Sequence, residues 1–143
     1  MSFFLKNNGP WSQLIQDKNI IINQLKNNTI QTLSKYISIK PIIVPHRDEF
    51  SETVGYLIKG DLKSALFLPD IDKWEKWDKK IEDFIKNVDY AFIDGTFYNG
   101  KEIPHRNMNE IPHPFVIETL ERLKNLKKKH KKKVYFIHLN HTN

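Results

Sequence analysis

There is no cysteine among the 143 residues. Disulfides and thiolate metal sites are therefore excluded, and any metal must be held by His, Asp or Glu. No apolar run approaches the roughly 18 residues that a membrane-spanning helix needs. The opening MSFFLKNNGPW lacks both a basic leader and a long apolar stretch, so it does not read as a secretion signal. These absences lead us to expect a cytoplasmic protein with no membrane partner. Internal repeats and linkers are also missing, which predicts a single domain over 1–143. What is present is globular in character: 39% apolar, 28% charged and 12% aromatic residues, enough for one modest core.

The formal net charge of +6 hints at a polyanionic partner, but its location weakens that hint. The segment 124-KNLKKKHKKK-133 holds seven lysines, and without them the balance is −1. The simpler reading is a solvated helix end, where lysine also complements the helix dipole. A nucleic-acid or protein-interaction surface on this run is the alternative function.

Apolar patterning predicts alternating strands and helices. The segment 36-YISIKPIIV-44 reads as a strand with an irregularity at Pro41, and 53-TVGYLI-58 and 64-SALFL-68 as a hairpin around 59-KGD-61. Ile71, Trp74, Trp77, Ile81, Phe84, Ile85 and Val88 recur every three or four residues, predicting an amphipathic helix over 71–88 with its tryptophans in the core. Asp70 or Asp72 would cap it. Next come a strand at 89-DYAFID-94, a long loop over 95–114, a helix over 115–129 and a strand at 134-VYFIHL-139. The expected class is α/β: a layered mixed sheet with helices on one face.

Polar residues of one chemical kind fall where these strands end. His46 follows the first strand, Asp70 the hairpin and Asp94 the next strand. His138 closes the last, with His141 three residues on. Side chains at such ends converge on one rim of a sheet, where ligand sites form. Imidazole and carboxylate together suit borderline divalent metals. Each residue also has a plainer reading: a hydrogen-bonded histidine, a helix cap at Asp70, a turn residue at Asp94.

The series VPHRDEFSETVGYLI, LFLPDIDKW, DYAFIDGTF, IPHP and FIHLNHTN resembles the metallo-β-lactamase fold hydrolases. With NGPWS, DGTF and the closing IHLNHTN, it looks most like their branch related to coenzyme PQQ biosynthesis protein B. The resemblance implies an αββα sandwich enclosing one or two divalent metals, most often zinc, with iron or manganese in some members. It implies that His46, Asp70 and His138 bind metal, with Asp70 as the bridging acid. His138 is preferred over His141 because related proteins can carry Asn at the latter place. It further implies that Asp94 and His113 form an acid–histidine relay protonating the leaving group. Arg47, Asp48, Glu49, Asp72, Thr96 and His141 are candidates for supporting the ligands or touching the substrate. That substrate would be a phosphodiester, a related ester or, in the PQQ-like branch, a small tyrosine-derived molecule.

The sequence departs from the family in one large respect. The N-terminal cluster H-x-H-x-D-H occurs nowhere in the chain. We therefore expect the C-terminal half of the sandwich, completed by a missing N-terminal half or by a homodimer partner. Alone, it is expected to be inactive and poorly soluble.

Overall fold

The computed structural model describes residues 2–49, 51–102, 107 and 110–140. Two short helices, α1 (Ser2–Asn7) and α2 (Trp11–Gln16), bury none of their residues. Six strands then form one sheet in sequential order: β1 (Gln31–Ser34), β2 (Ile37–Val44), β3 (Thr53–Lys59), β4 (Ser64–Leu68), β5 (Tyr90–Asp94) and β6 (Val134–Ile137). Pairs from β1 to β4 are antiparallel, while β4–β5 and β5–β6 are parallel. The sheet is therefore mixed, as expected. The strand β1 carries no alternation in burial, all four of its residues being exposed, and so left no period-2 signal to read.

Direction matters more than order. Two successive antiparallel pairings make β2 run the same way as β4, and β5 and β6 follow that sense. The C-terminal ends of β2, β4, β5 and β6 consequently share one edge of the sheet. The expected irregularity at Pro41 is absent: β2 keeps unbroken register with β3 from Ser38 to Val44. The Pro41 carbonyl accepts from Asn28 N–H at 2.8 Å, on the side away from β3. The missing N–H of the proline faces that same side, so no rung with β3 is lost.

Alternate residues of the strands bury one face. Ile42, Val44, Leu66, Leu68, Ala91 and Ile93 pack against Ile71, Trp74, Trp77, Ile81, Ile85, Val88 and Leu123. The aromatic positions of 71–88 are core, as the spacing predicts, but the backbone there is not one helix. A 3-10 turn spans Trp74–Lys76 and an α-helix, α3, spans only Ile81–Asn87. Trp77 and Lys80 between them are extended. Long-range bonds hold the start of this segment out of helical form. Ile71 N–H donates to the Asp94 carboxylate at 3.2 Å, and Asp72 N–H donates to the Pro45 carbonyl at 2.7 Å. Neither Asp70 nor Asp72 caps α3, which has no side-chain cap.

The helix expected over 115–129 is likewise divided, into α4 (Val116–Arg122) and the single turn α5 (Lys128–Lys131). Part of the lysine run is engaged in the fold. Lys133 Nζ donates to the Ile85 and Lys86 carbonyls at 3.3 and 3.1 Å, closing the C-terminus of α3. On the opposite sheet face, Ile43, Phe67, Tyr90 and Tyr135 remain 39–47% exposed.

Candidate metal centre

Four strand ends and one loop bring the expected residues together. Pro45 and His46 leave β2, and Asp70 stands two residues beyond β4. Asp94 is the last residue of β5, and His138 is the first after β6. His113 arrives from the loop before α4, which is tied to the opposite side of that loop by Val116 N–H to the Phe97 carbonyl at 2.9 Å. At the foot of α4, Glu118 accepts from Phe115 N–H and from Lys73 Nζ, each at 2.8 Å, joining this segment to the chain after Asp70. One donor atom each from Asp70, Asp94, His113 and His138 lies within 4.8 Å of all the others.

His46 joins the group through Asp70. Its Nε2 lies 2.9 Å from Asp70 Oδ1, and its ring centroid is 5.3 Å from that of His113. The short contact lacks the directionality of a hydrogen bond, and neither atom has a hydrogen-bond partner among the described residues although both are buried. Two buried acceptor atoms facing each other are unfavourable unless a proton on His46, which makes them an ion pair, or a cation lies between them. A divalent cation can take that place, so the residues present fit a metal ion.

Asp94 differs in kind from Asp70. It is fully buried, and both its oxygens are taken: Oδ2 by Ile71 N–H and the His113 ring at 2.8 Å, Oδ1 by Thr96 N–H at 2.9 Å and Thr96 Oγ1 at 2.7 Å. Four donors match the four lone-pair sites of a carboxylate. Its proximity to the cluster thus makes it the group that orients His113, with no lone pair left for an ion. Asp70, one third exposed, is the accessible acid.

Gly95 lets β5 leave beside β6. An added Cβ there would stand 2.8 Å from Phe136 Cβ and 3.1 Å from the Ile137 carbonyl oxygen. Backbone bonds from Gly95 N–H to Ile137 and from Asn140 N–H to Thr96 clasp His138 in the left-handed region at φ 60°. We expect Gly95→Ala to destabilise the chain by about 1–3 kcal/mol, since the clasp that aims His138 must open. A thermal melt checks this.

The remaining described candidates lie outside the cluster's contacts. Arg47 and Glu49 pair with each other at 3.3 Å on the surface, and the Glu49 carboxyl is held below its usual range by its own backbone N–H and by Arg47. Asp48 accepts from Thr53 N–H at 3.2 Å, bracing the start of β3. The oxygens of Asp72 are taken by Lys73 N–H at 2.7 Å and Lys76 Nζ at 2.6 Å. His141 lies outside the described residues. The lysine run opens β6, at the sheet edge opposite the cluster, where the Lys133 carbonyl accepts from Ala91 N–H.

A mixed sheet that gathers histidines and carboxylates at one edge defines an α/β domain with a candidate metal site. The family described as the Beta-lactamase superfamily domain matches residues 4–139, and the chain belongs to it. Among solved structures, zinc-bound PqqB from Methylobacterium extorquens is similar at a TM-score of 0.70 and 16% identity, over 99% of this chain and 49% of that one. A protein described as a metal-dependent hydrolase from Parabacteroides distasonis matches at a TM-score of 0.42 and 11% identity, over 93% of this chain and 63% of its own. The chain thus spans about half the length of PqqB. No curated protein matches the sequence. Among the described residues, no helix is long and apolar enough to cross a membrane.

Proposed function

We propose that the chain contributes His46, Asp70 and His138 to a divalent-metal centre, zinc before iron or manganese, that hydrolyses a phosphodiester or related ester. The observation that carries this reading is the buried, unsatisfied pair His46 Nε2 and Asp70 Oδ1, 2.9 Å apart beside two further histidines. A bound divalent ion would supply Lewis acidity and an activated water at neutral pH. The chain's own residues do the rest. Asp70, His46 and His138 would hold the ion. Asp94 fixes the His113 ring through Nδ1, so that Nε2, once it has taken up a proton, can deliver it to a departing oxygen.

Three donors do not complete the coordination shell of such an ion. We propose that the rest come from a further segment or a second copy, laid over the sheet face that carries Phe67, Tyr90 and Tyr135, and that the chain is inactive without it. The likeness to PqqB supports a second reading on the same ligands, a PQQ-biosynthesis-like reaction on a small tyrosine-derived substrate.

Hydrolysis of bis(p-nitrophenyl) phosphate by the completed protein tests the first reading. Turnover should vanish with a chelator, return with zinc and require both Asp70 and His113. Turnover indifferent to chelation would exclude it. Metal binding without any turnover would favour the second reading.

A further inference from the structure

We propose that Thr96 is a positioning residue through which the single carboxylate of Asp94 sets the tautomers of both His113 and His138. The inference deepens the metal-centre reading, on which its purpose rests, but its geometry stands apart from any ion. A carboxylate only accepts hydrogen bonds. The 2.7 Å contact between Thr96 Oγ1 and Asp94 Oδ1 is therefore a hydroxyl donating its proton to Asp94. A hydroxyl has one proton, so toward His138 Nδ1, 3.2 Å away, the same oxygen is an acceptor. The proton in that contact must then reside on Nδ1 of His138.

His113 obeys the same rule without an intermediary. Its Nδ1 lies 2.8 Å from Asp94 Oδ2, against 3.5 Å from Asp70 Oδ1, so the Nδ1 proton belongs to Asp94. In a neutral imidazole, a proton on Nδ1 leaves the lone pair on Nε2. Asp94 thus presents two histidines with Nε2 as the basic atom, one directly and one through the Thr96 hydroxyl. Free imidazole side chains in water favour the opposite form, with the proton on Nε2. The relay therefore opposes the intrinsic preference at both rings, as partners behind metal-binding histidines do. The clasp that holds His138 left-handed, between Gly95–Ile137 and Thr96–Asn140, places its Nδ1 over Thr96. Four contacts converge on Asp94, and among the described residues it is Thr96 that links it to His138 at the end of β6.

The test is long-range proton–nitrogen correlation on the metal-free chain labelled with nitrogen-15 at histidine, at a pH where imidazoles are neutral. Signals are assigned by His113→Gln and His138→Gln. In the wild type both rings should carry the proton on Nδ1. If His138 carries it on Nε2, the proposal is overturned without any variant. In Thr96→Val, His138 should revert to the Nε2–H form while His113 stays as it was, and Thr96→Ser should restore the wild-type pattern. An unchanged His138 in Thr96→Val, or a serine variant that behaves like valine, would also overturn it. Zinc affinity is read separately, on the completed protein, by chelator competition. It should fall by roughly 10- to 100-fold in Thr96→Val, the range for loss of a group behind a ligand, and recover in Thr96→Ser. Correct tautomers in a completed protein that takes up no zinc would leave the relay standing and refute the metal-centre reading instead.

Discussion

Replacing Asp94 with alanine should destabilise the chain by about 3–5 kcal/mol, the range for removing one partner of a buried charged network. The side chain is fully buried and receives four hydrogen bonds, from Ile71 N–H, Thr96 N–H, Thr96 Oγ1 and the His113 ring. Alanine leaves all four donors without an acceptor. The two backbone N–H groups cannot turn away, and each stranded buried donor costs about 1–3 kcal/mol. Asp94→Asn should fall between the wild type and alanine. Its amide keeps one acceptor oxygen but points an NH₂ group at donors on the other side. Urea denaturation measures the effect. With a slope of about 1–3 kcal/mol/M, the alanine variant should lose its midpoint by an amount on the order of 2 M. A midpoint within experimental error of wild type would mean that the four bonds do not hold the site together.

Asp70 should give the reverse profile. Its Oδ1 is 2.9 Å from His46 Nε2 and 3.5 Å from His113 Nδ1, and it has no hydrogen-bond partner among the described residues. Little of the fold depends on it. Asp70→Asn should therefore melt close to the wild type, while zinc affinity falls by at least about 100-fold. That figure is the upper end for losing a group behind a ligand, and Asp70 is proposed as a ligand itself. Chelator competition and a thermal melt on one preparation separate the two effects. A variant that binds zinc like the wild type would remove Asp70 from the centre, and one that unfolds would reassign it to structure. Together, Asp94 and Asp70 distinguish a carboxylate that organises a site from one that faces its ligand, although both end parallel strands.

Much of the site was legible because it follows from local pattern. His46, Asp70, Asp94 and His138 each follow an apolar run, and runs that end in His or Asp deliver those side chains to a strand terminus whatever the fold; His113, in the loop before α4, was reached only through the family resemblance. The hairpin around Gly60 and the core role of Trp74 and Trp77 follow from alternation and from helical spacing. The Trp74 indole donates to Thr119 Oγ1 at 2.9 Å within the core, where a large aromatic ring with one polar group is best satisfied. The helix over 71–88 shows where such reading stops. Periodicity records which residues are buried, not the backbone that buries them. A 3-10 turn, an extended bridge and a short helix place the same residues inward as one continuous helix would.

The sequence by itself determined the absence of thiolate chemistry, the α/β pattern and the stock of His and Asp at strand ends. Those properties reside in single residues and short windows. The tertiary structure decided the rest: which strands run in the same sense, that His46 meets Asp70 across the start of β3, and that Asp94 is saturated while Asp70 is open. It also decided that Thr96 reaches a histidine 42 positions away. These depend on hydrogen bonds between distant segments, and such bonds leave no periodic trace in the chain because their partners become neighbours only after the sheet is assembled.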